Sequence, residues 1–297
     1  MIIPPYLKKG DKIAIIAPAR KISSQELSPA LEQIRNHGFE PILGKNIFEV
    51  YNQFAGTDEQ RLEDLQWALN DSAIKAVISA RGGYGCLRLV DCLDLTAFIK
   101  NPKWMIGYSD LTVFHSHLLR HTNVTTIHAT MPINFDKNLM ATDSLFRALK
   151  GEVNAYDFTS ENGKNIKDVE GLVVGGNLSL LFAMLGSPSD IDTQDKILFI
   201  EDLDEYLYHI DRMIVALKRA GKLKNLKALL VGSFTEMKDN SVPFGKTAQE
   251  IILDAVKEYD YPVFFDFPSG HQDLNLAIVF GKSCEIKTEG NSSLFIQ

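Results

Sequence analysis

A serine lies at the turn between a predicted buried strand and a predicted helix. The apolar run Trp104–Gly107 has the composition of a strand, and a helical pattern begins just past Ser109. On so sharp a turn a serine points out above the sheet, where the N–H groups of the helix N-terminus can stabilise an oxyanion. Leu111 stands where the motif G-x-S-x-G has its second glycine. The pattern is therefore compatible with a nucleophile, but a helix N-cap is the commoner role of a serine at such a position.

A glycine-rich loop follows the preceding strand. Segment 81–85 reads RGGYG, and it ends at the same edge of a parallel sheet as the loop of Ser109. Glycines let the backbone approach a ligand closely, so the Gly83 N–H is placed to contribute to an oxyanion hole. The segment lacks the G-x-G-x-x-G order and the phosphate-loop lysine, so it supports nucleotide binding only weakly. A plain glycine turn is the other interpretation.

A serine nucleophile needs a base and a group that orients the base. Of the seven histidines, His271 follows a strand within a Pro- and Gly-containing turn, where a side chain can face a cleft. Glu201 and Asp202 directly follow another buried strand, and the alternative for them is an acidic cap on the next helix. His117 and His121 have a spacing found in zinc sites, but no acidic neighbour completes it, so no metal is predicted.

Composition narrows the class of protein. The 297 residues include 31 Lys plus Arg against 38 Asp plus Glu, a net charge of -7 that does not favour nucleic acid. Three cysteines without a C-x-x-C pair indicate reduced thiols, as in cytosolic proteins. The first apolar run is too short for a signal peptide, and none approaches the ~20 residues of a membrane span. We therefore expect a cytoplasmic protein with neither membrane nor nucleic acid as partner.

The order of elements predicts an α/β fold. Short apolar strands alternate with helical patterns over residues 1–135, which indicates a mostly parallel sheet covered on both faces. The periodicity fades over 136–168, where we expect a linker. Residues 169–297 are predicted to form a smaller α/β domain with mixed strands, one of them over 277–280.

Taken together, five motifs resemble the LD-carboxypeptidase family, in the family's order and over nearly the whole chain. That family contains the murein tetrapeptide carboxypeptidases and, as a branch, the microcin C immunity peptidases. The motifs are Arg81-Gly82-Gly83-Tyr84-Gly85, Gly107-Tyr108-Ser109-Asp110, Gly175-Gly176-Asn177-Leu178, Ile200-Glu201-Asp202 and Gly270-His271.

The resemblance implies a catalytic machinery and a fold. It implies Ser109 as nucleophile, His271 as base and Glu201 as the group orienting it, with backbone N–H groups of Gly83 and Asp110 as the oxyanion hole. The active site would lie between an N-terminal domain like the class I glutamine amidotransferases and a smaller C-terminal domain. Members are typically homodimers, and neither a metal nor another cofactor is expected.

The resemblance also implies a substrate: the peptide bond before a C-terminal D-amino acid in a murein tetrapeptide, as met in peptidoglycan recycling. Arg81, Tyr84 and Asn177 are predicted to contact it, with Arg81 either holding the terminal carboxylate or serving the structure. Microcin-type members cleave aminoacyl-nucleotide conjugates and stack tryptophan on the base. Since Trp67 and Trp104 both lie in predicted elements of the first domain, the murein branch is favoured.

Two other classes are weighed beside this one. An amidotransferase-like hydrolase would carry cysteine at the turn, where this chain has Ser109. A non-catalytic ligand-binding protein of the periplasmic type would also have two α/β lobes and a cleft. Such proteins carry a secretion signal, which is not expected here because the first apolar run is too short for one.

Overall fold

Two separate sheets organise the chain in the computed structural model, which describes residues 1–297. The thirteen strands are β1 (Lys12–Ile16), β2 (Glu40–Leu43), β3 (Ile74–Ser79), β4 (Trp104–Gly107), β5 (Thr126–His128), β6 (Ala155–Thr159), β7 (Val169–Asn177), β8 (Ile197–Leu203), β9 (Ala228–Thr235), β10 (Val263–Phe264), β11 (Ile278–Phe280), β12 (Ser283–Glu289) and β13 (Ser292–Ile296). The α-helices are α1 (Ser24–Asn36), α2 (Asp58–Asn70), α3 (Thr96–Lys100), α4 (Thr112–Thr122), α5 (Leu139–Lys150), α6 (Leu178–Ala183), α7 (Leu207–Arg219) and α8 (Ala248–Val256).

The first sheet has the strand order β11-β5-β4-β3-β1-β2, and β1 to β5 run parallel. Successive side chains of a strand point to opposite faces. Along β1, Ile13 and Ile15 accordingly belong to one apolar cluster, and Ala14 and Ile16 belong to another. Both faces of the sheet are thus covered, which confirms the sequence-based expectation of a buried parallel sheet.

The second sheet has the order β10-β9-β8-β7-β12-β13-β6. Strands β7 to β10 pair in parallel, and β12, β13 and β6 are antiparallel, so the prediction of mixed strands is confirmed. With seven strands against six, this sheet is the larger of the two.

One predicted strand belongs to the other sheet. β11, expected within the second domain, pairs antiparallel with β5 and extends the edge of the first sheet, with Ile278 opposite His128. A short apolar run shows that a strand is buried, but its periodicity does not show which neighbour it pairs with. The C-terminal half therefore contributes directly to the N-terminal sheet.

The segment 136–168, for which the sequence predicts a linker, contains helix α5 and strand β6. Asn138 caps the start of α5 by accepting from the Ala141 N–H, and Gly151 ends it in a left-handed conformation. β6 pairs with β13 at the edge of the second sheet. The segment thus adds an element to each half of the molecule.

The two halves share one apolar core. The larger cluster has 58 buried residues and includes side chains from both sheets, such as Val77 of β3 and Phe199 of β8. The smaller cluster has 25 residues and lies mainly on the opposite face of the first sheet. Because the sheets pack against each other, the loops at their facing edges are held in a fixed relation. No helix of the structure is both long and apolar enough to cross a bilayer.

Candidate active site

Ser109 occupies a strained turn at the end of β4. The chain leaves the strand through extended Tyr108, and Ser109 itself has a φ of 63°, in the left-handed region. Holding a non-glycine residue there costs on the order of 1–3 kcal/mol, and such strain is concentrated at functional sites. A short 3₁₀ turn, Ser109–Leu111, then leads into α4. Neither this turn nor α4 has a side-chain cap, so the alternative of Ser109 as a helix cap is wrong.

The glycine loop lies directly against the serine. A Cβ atom at Gly82 would be 3.0 Å from the Ser109 Cβ and 3.1 Å from its Oγ, tighter than nearly all real Cβ contacts. Glycine is therefore required for the loop to approach the serine this closely. The neighbouring Gly83 N–H donates to no acceptor within the protein. This leaves it available to an oxyanion.

Asp110 fastens the glycine loop to the turn. Its buried carboxylate accepts a hydrogen bond from the Cys86 N–H at 2.8 Å, across 24 residues of chain. Burial raises the pKa of Asp110, against the hydrogen bonds from the loop. The sequence predicted a role only for the backbone N–H of Asp110, and no sequence signal points to this side-chain contact.

His271 and Glu201 form a short hydrogen bond. The His271 Nδ1 and the Glu201 Oε2 are 2.6 Å apart, and the Glu201 side chain is fully buried while 12% of the His271 side chain is exposed. Burial opposes protonation of His271, but the charge of Glu201 and its hydrogen bond, with smaller contributions from Asp202 and Glu236, outweigh it and raise the pKa of His271. The pair is arranged as a base and its orienting carboxylate.

The loop that carries His271 is fixed by its backbone. Gly270 has a φ of 119°, and a Cβ there would lie 2.9 Å from the Glu201 Cβ, so only glycine allows the two residues to meet. The Asn275 Oδ1 accepts from the Gly270 N–H at 2.9 Å, and the Thr235 hydroxyl donates to the His271 carbonyl at 3.0 Å. Asn275 and Thr235 are positioning residues that the sequence analysis missed.

Asp202 points away from His271 and binds the start of α6. Its carboxylate accepts from the Ser179 N–H at 2.9 Å, the Ser179 hydroxyl at 2.7 Å and the Asn177 amide at 3.0 Å. Burial, with the charge of Glu201, raises the pKa of Asp202 to about 6. Helix α7 has no side-chain cap, so neither acid is the cap of the following helix that the sequence left open.

Tyr108 packs beside the base. Its ring centroid is 4.9 Å from that of His271, and its hydroxyl accepts from the Asn134 amide at 3.0 Å. Burial, with the charge of Glu201, raises the pKa of Tyr108 to about 12, so the phenol stays neutral. Tyr108 thus limits the room in which the imidazole can turn.

An open cleft of about 390 Å³ brings the predicted residues together. Ser109, His271, Gly83 and Arg81 all line it, and Glu201 lies buried behind His271. The remaining walls include Arg20, Lys137, Met131, Ile133, Asn134 and Leu203. A larger cavity of about 490 Å³ in the second half is lined by neither Ser109 nor His271. The size of a cavity therefore does not indicate where the predicted catalytic residues lie.

Two of the predicted substrate contacts lie outside this cleft. Asn177 is 2% exposed, and its side chain caps α6 and binds Asp202, so the structure does not bring it to the cleft. Tyr84 is 46% exposed and packs near the ring of Phe54. Of the three residues, only Arg81 lines the cleft.

No three His, Cys, Asp or Glu side chains of the structure are grouped as a metal site would require. His117 and His121 do face each other, with ring centroids 4.3 Å apart. His117 Nδ1, however, lies 2.9 Å from the Ser189 hydroxyl, and His121 Nε2 lies 3.1 Å from the Pro188 carbonyl. These histidines join α4 to the loop after α6.

Comparisons with known proteins identify the family of this chain. Residues 13–129 match the LD-carboxypeptidase N-terminal domain, and residues 170–286 match the LD-carboxypeptidase C-terminal domain. The chain is similar to a probable murein peptide carboxypeptidase of Bacillus subtilis (strain 168), with 34% identity over 96% of this chain and 91% of the relative.

Solved structures are similar as well. One is the muramoyltetrapeptide carboxypeptidase from Oxalobacter formigenes, with a TM-score of 0.87, 28% identity, and coverage of 96% of this chain and 98% of that one. Another is the microcin C7 self-immunity protein in complex with aspartyl sulfamoyl adenosine, with a TM-score of 0.89, 20% identity, and coverage of 100% and 99%, a likeness of fold alone. The chain belongs to the LD-carboxypeptidase family and is a serine-type carboxypeptidase.

Proposed function

We propose that this enzyme hydrolyses the bond before the C-terminal D-alanine of a murein tetrapeptide, with Ser109, His271 and Glu201 as its catalytic triad. The observation that carries the proposal is the 2.6 Å Glu201–His271 pair opening onto the same cleft as the strained Ser109 turn. A base with an orienting carboxylate, facing the same cleft as a half-buried serine, is the arrangement that acyl transfer through a serine requires.

The reaction begins with the serine. Because Nδ1 of His271 faces Glu201, Nε2 is the nitrogen left to take the proton of the Ser109 hydroxyl as its oxygen attacks the scissile carbonyl. The Glu201 carboxylate stabilises the imidazolium that forms. His271 then gives the proton to the nitrogen of the departing D-alanine, and the C–N bond breaks to leave an acyl-enzyme. Water, deprotonated by His271, hydrolyses that ester and restores Ser109.

The glycine loop and the turn would supply the oxyanion hole. The N–H groups of Gly83 and Asp110 are the proposed donors to the oxygen that becomes negative in the tetrahedral intermediate. Removing one such donor costs about 3–4 kcal/mol of transition-state stabilisation in other serine hydrolases. The free Gly83 N–H and the contact of Gly82 with Ser109 support this assignment.

The substrate class rests on the relatives and on the walls of the cleft. The Bacillus subtilis and Oxalobacter formigenes proteins are named for murein peptides. Arg20, Arg81 and Lys137 line the cleft here, and cationic walls suit a small peptide that carries carboxylates.

A microcin-type activity, cleaving an aminoacyl-nucleotide conjugate, is the second candidate, favoured by the likeness of fold to the self-immunity protein. The stacking of tryptophan on a base that the microcin branch implies would need a tryptophan at the cleft. Trp104 is buried with its indole N–H donating to the Pro5 carbonyl, and Trp67 packs against the core from α2. Neither tryptophan lines the cleft, which supports the murein substrate. A non-catalytic binder is no longer an alternative, because the family is one of carboxypeptidases.

Several further expectations belong to the same proposal. They are the homodimer, the cytoplasmic location, the role in peptidoglycan recycling, and the likeness of the N-terminal domain to class I glutamine amidotransferases. The cytoplasmic location follows from the cysteines and the short apolar runs, and the other three follow from the family resemblance. Each stays a prediction.

The test is release of D-alanine from a murein tetrapeptide by the wild-type enzyme and by Ser109→Ala. We expect kcat to fall by about 10³-fold or more in the variant, because the oxyanion hole and binding alone retain only a small part of the rate. Ser72→Ala, which changes an exposed serine outside the cleft, is the matched control and should keep full activity.

The possible outcomes separate the parts of the proposal. Cleavage of an aminoacyl-nucleotide conjugate without release of D-alanine would keep the triad and reassign the substrate. Full activity of Ser109→Ala on the tetrapeptide would rule out the triad itself.

A further inference from the structure

The cleft is positively charged in a protein that is negative overall. Arg20, Arg81 and Lys137 line it, and no aspartate or glutamate side chain does, whereas the whole chain has a net charge of -7. Cationic side chains gathered in one cleft repel one another, and an anionic ligand relieves that repulsion. The cleft is therefore built to receive a negatively charged group beside Ser109.

The guanidinium of Arg81 is partly occupied within the protein. Its Nη1 donates to the Lys21 carbonyl at 3.2 Å and lies 4.0 Å from the Glu26 carboxylate. Burial and the charge of the nearby Arg20 lower the pKa of Arg81, which places the two guanidinium groups within electrostatic reach of each other. Arg81 thus contributes charge to the cleft while being held in its wall.

The guanidinium of Arg20, in contrast, has no partner within the protein. Arg20 is exposed, and its guanidinium forms neither a hydrogen bond nor an ion pair in the protein, whereas Arg61 and Arg88 both pair with Asp58. The stem of Arg20 lies along Gly83, so closely that a Cβ atom on that glycine would be 2.8 Å from the Arg20 Cβ and 3.1 Å from its Cδ. A free guanidinium is therefore anchored beside the proposed oxyanion donor.

We propose that Arg20 binds the C-terminal carboxylate of the substrate and so restricts the enzyme to the last peptide bond. This inference rests on the proposed function. In a carboxypeptidase the terminal carboxylate lies one residue beyond the scissile carbonyl, and one residue spans at most about 3.8 Å. The Arg20 side chain, which lies along Gly83, is long enough to span that distance. Its planar guanidinium can bind a carboxylate through two hydrogen bonds. Arg81, which is held in the wall of the same cleft, adds positive charge.

The experiment compares two substrates of equal length. One is the murein tetrapeptide with a free C-terminal carboxylate, and the other is the same peptide with D-alaninamide at its end. The scissile bond is the same in both, so only recognition of the terminal charge differs. Wild type, Arg20→Met, Arg81→Met and the control Arg35→Met, an exposed arginine of α1, are assayed on both peptides.

We expect wild type to favour the free acid by about 100-fold in kcat/KM, the effect of a charge-assisted hydrogen-bonded pair. Arg20→Met should lose about 100-fold on the free acid, mainly through KM, and no more than about 3-fold on the amide. Arg35→Met should match wild type on both. A role of Arg20 in folding alone would instead lower activity on both peptides equally.

Three results would overturn the assignment: equal cleavage of both peptides by wild type, an unchanged preference in Arg20→Met, or loss of the preference in Arg81→Met only. Failure of wild type to cleave either peptide would count against the proposed function instead. Arg20→Lys keeps the positive charge but not the planar guanidinium. If this variant retained part of the preference for the free acid over the amide, the assignment would be supported further.

Discussion

At the scale of single residues, the site depends on a carboxylate that is kept out of water. Glu201 is fully buried, and one of its oxygens is occupied by His271 while the other has no partner in the protein. A buried charge is costly unless it is paired, so the imidazole both satisfies Glu201 and is held in one orientation by it. The same pairing raises the pKa of His271 and fixes which of its nitrogens faces the cleft.

Replacing Glu201 by Gln should therefore change both the rate and its pH dependence. His271 acts as a base only when neutral, so in wild type kcat/KM should rise with pH through a pKa above the ordinary value for histidine. In Glu201→Gln the charge that raises this pKa most is gone while burial still lowers it, so the acid limb should move to lower pH. We expect kcat to fall by about 10³-fold or more.

The measurement is kcat/KM for D-alanine release across pH 4 to 10, with Glu40→Gln as the control. Glu40 is an exposed carboxylate on β2, far along the sheet from His271, and its variant should keep both rate and profile. An acid limb that stays in place in Glu201→Gln would mean that Glu201 does not set the pKa of the base.

At the scale of elements, the site is made by loops at the carboxyl ends of parallel strands. β3 leads into the glycine loop, β4 into the Ser109 turn and β8 ends at Glu201 and its neighbours. The side chain of Asp110 ties the first two of these loops together by accepting a hydrogen bond from the Cys86 N–H. The register of β7 and β8 places Asn177 opposite Glu201.

Loss of the Asp110 carboxylate should loosen the glycine loop without touching the reacting groups. In Asp110→Ala the Cys86 N–H loses its acceptor in a buried place, which costs about 1–3 kcal/mol of stability. The displaced Gly83 N–H should lower kcat by about 10-fold to 100-fold with little change in KM. Asp110→Asn keeps an acceptor oxygen and should recover most of the rate.

Steady-state kinetics and thermal unfolding of both variants test this, beside Asp136→Ala, which removes an exposed aspartate. The rescue by Asn distinguishes a positioning role from chemistry by the ionised carboxylate. Equal loss in Asp110→Asn and Asp110→Ala would contradict the positioning role.

At the scale of the whole molecule, the proposed catalytic groups come from both halves of a shared core. Ser109 follows β4 of the first sheet, whereas Glu201 lies in β8 and His271 follows β10 of the second. Phe199 lies where they meet, fully buried, with its ring centroid 5.0 Å from that of His128 and 6.2 Å from that of Phe280. The alignment of serine and base therefore depends on the packing between the sheets.

A cavity at Phe199 should destabilise both halves together. Phe199→Ala removes a buried ring from β8, and we expect the free energy of unfolding to fall by about 3–5 kcal/mol. Both tryptophans, Trp67 and Trp104, lie in the N-terminal half and report its unfolding by fluorescence. If the core is shared, the fluorescence transition and the circular dichroism transition shift by the same amount in denaturant.

The exposed Phe48 supplies the matched control, since Phe48→Ala leaves no cavity and should change stability by less than about 1 kcal/mol. The contrary result for Phe199→Ala is a fluorescence transition that does not shift, together with a second transition in circular dichroism. It would show that the two halves unfold independently.

The sequence by itself determined where the reactive groups come in the chain. Apolar runs indicate where strands end, and the ends of parallel strands share one edge, so Ser109 and the glycine loop could be expected together before any coordinates. The strand ahead of His271 and the turn that carries it were also readable from residue types. These features are local, and a local pattern is sufficient to predict them.

Only the tertiary structure decided which neighbours these groups have. Glu201 and Asp202 are adjacent in β8, where successive side chains point in opposite directions, and nothing local tells which one faces His271. Arg20 lies on a loop some sixty residues before the segment 81–85, and no motif marks it. Asn177 was expected at the substrate, yet it binds Asp202 because the register of β7 and β8 brings the two together. Such contacts depend on pairing between distant segments, which no periodicity within one segment encodes.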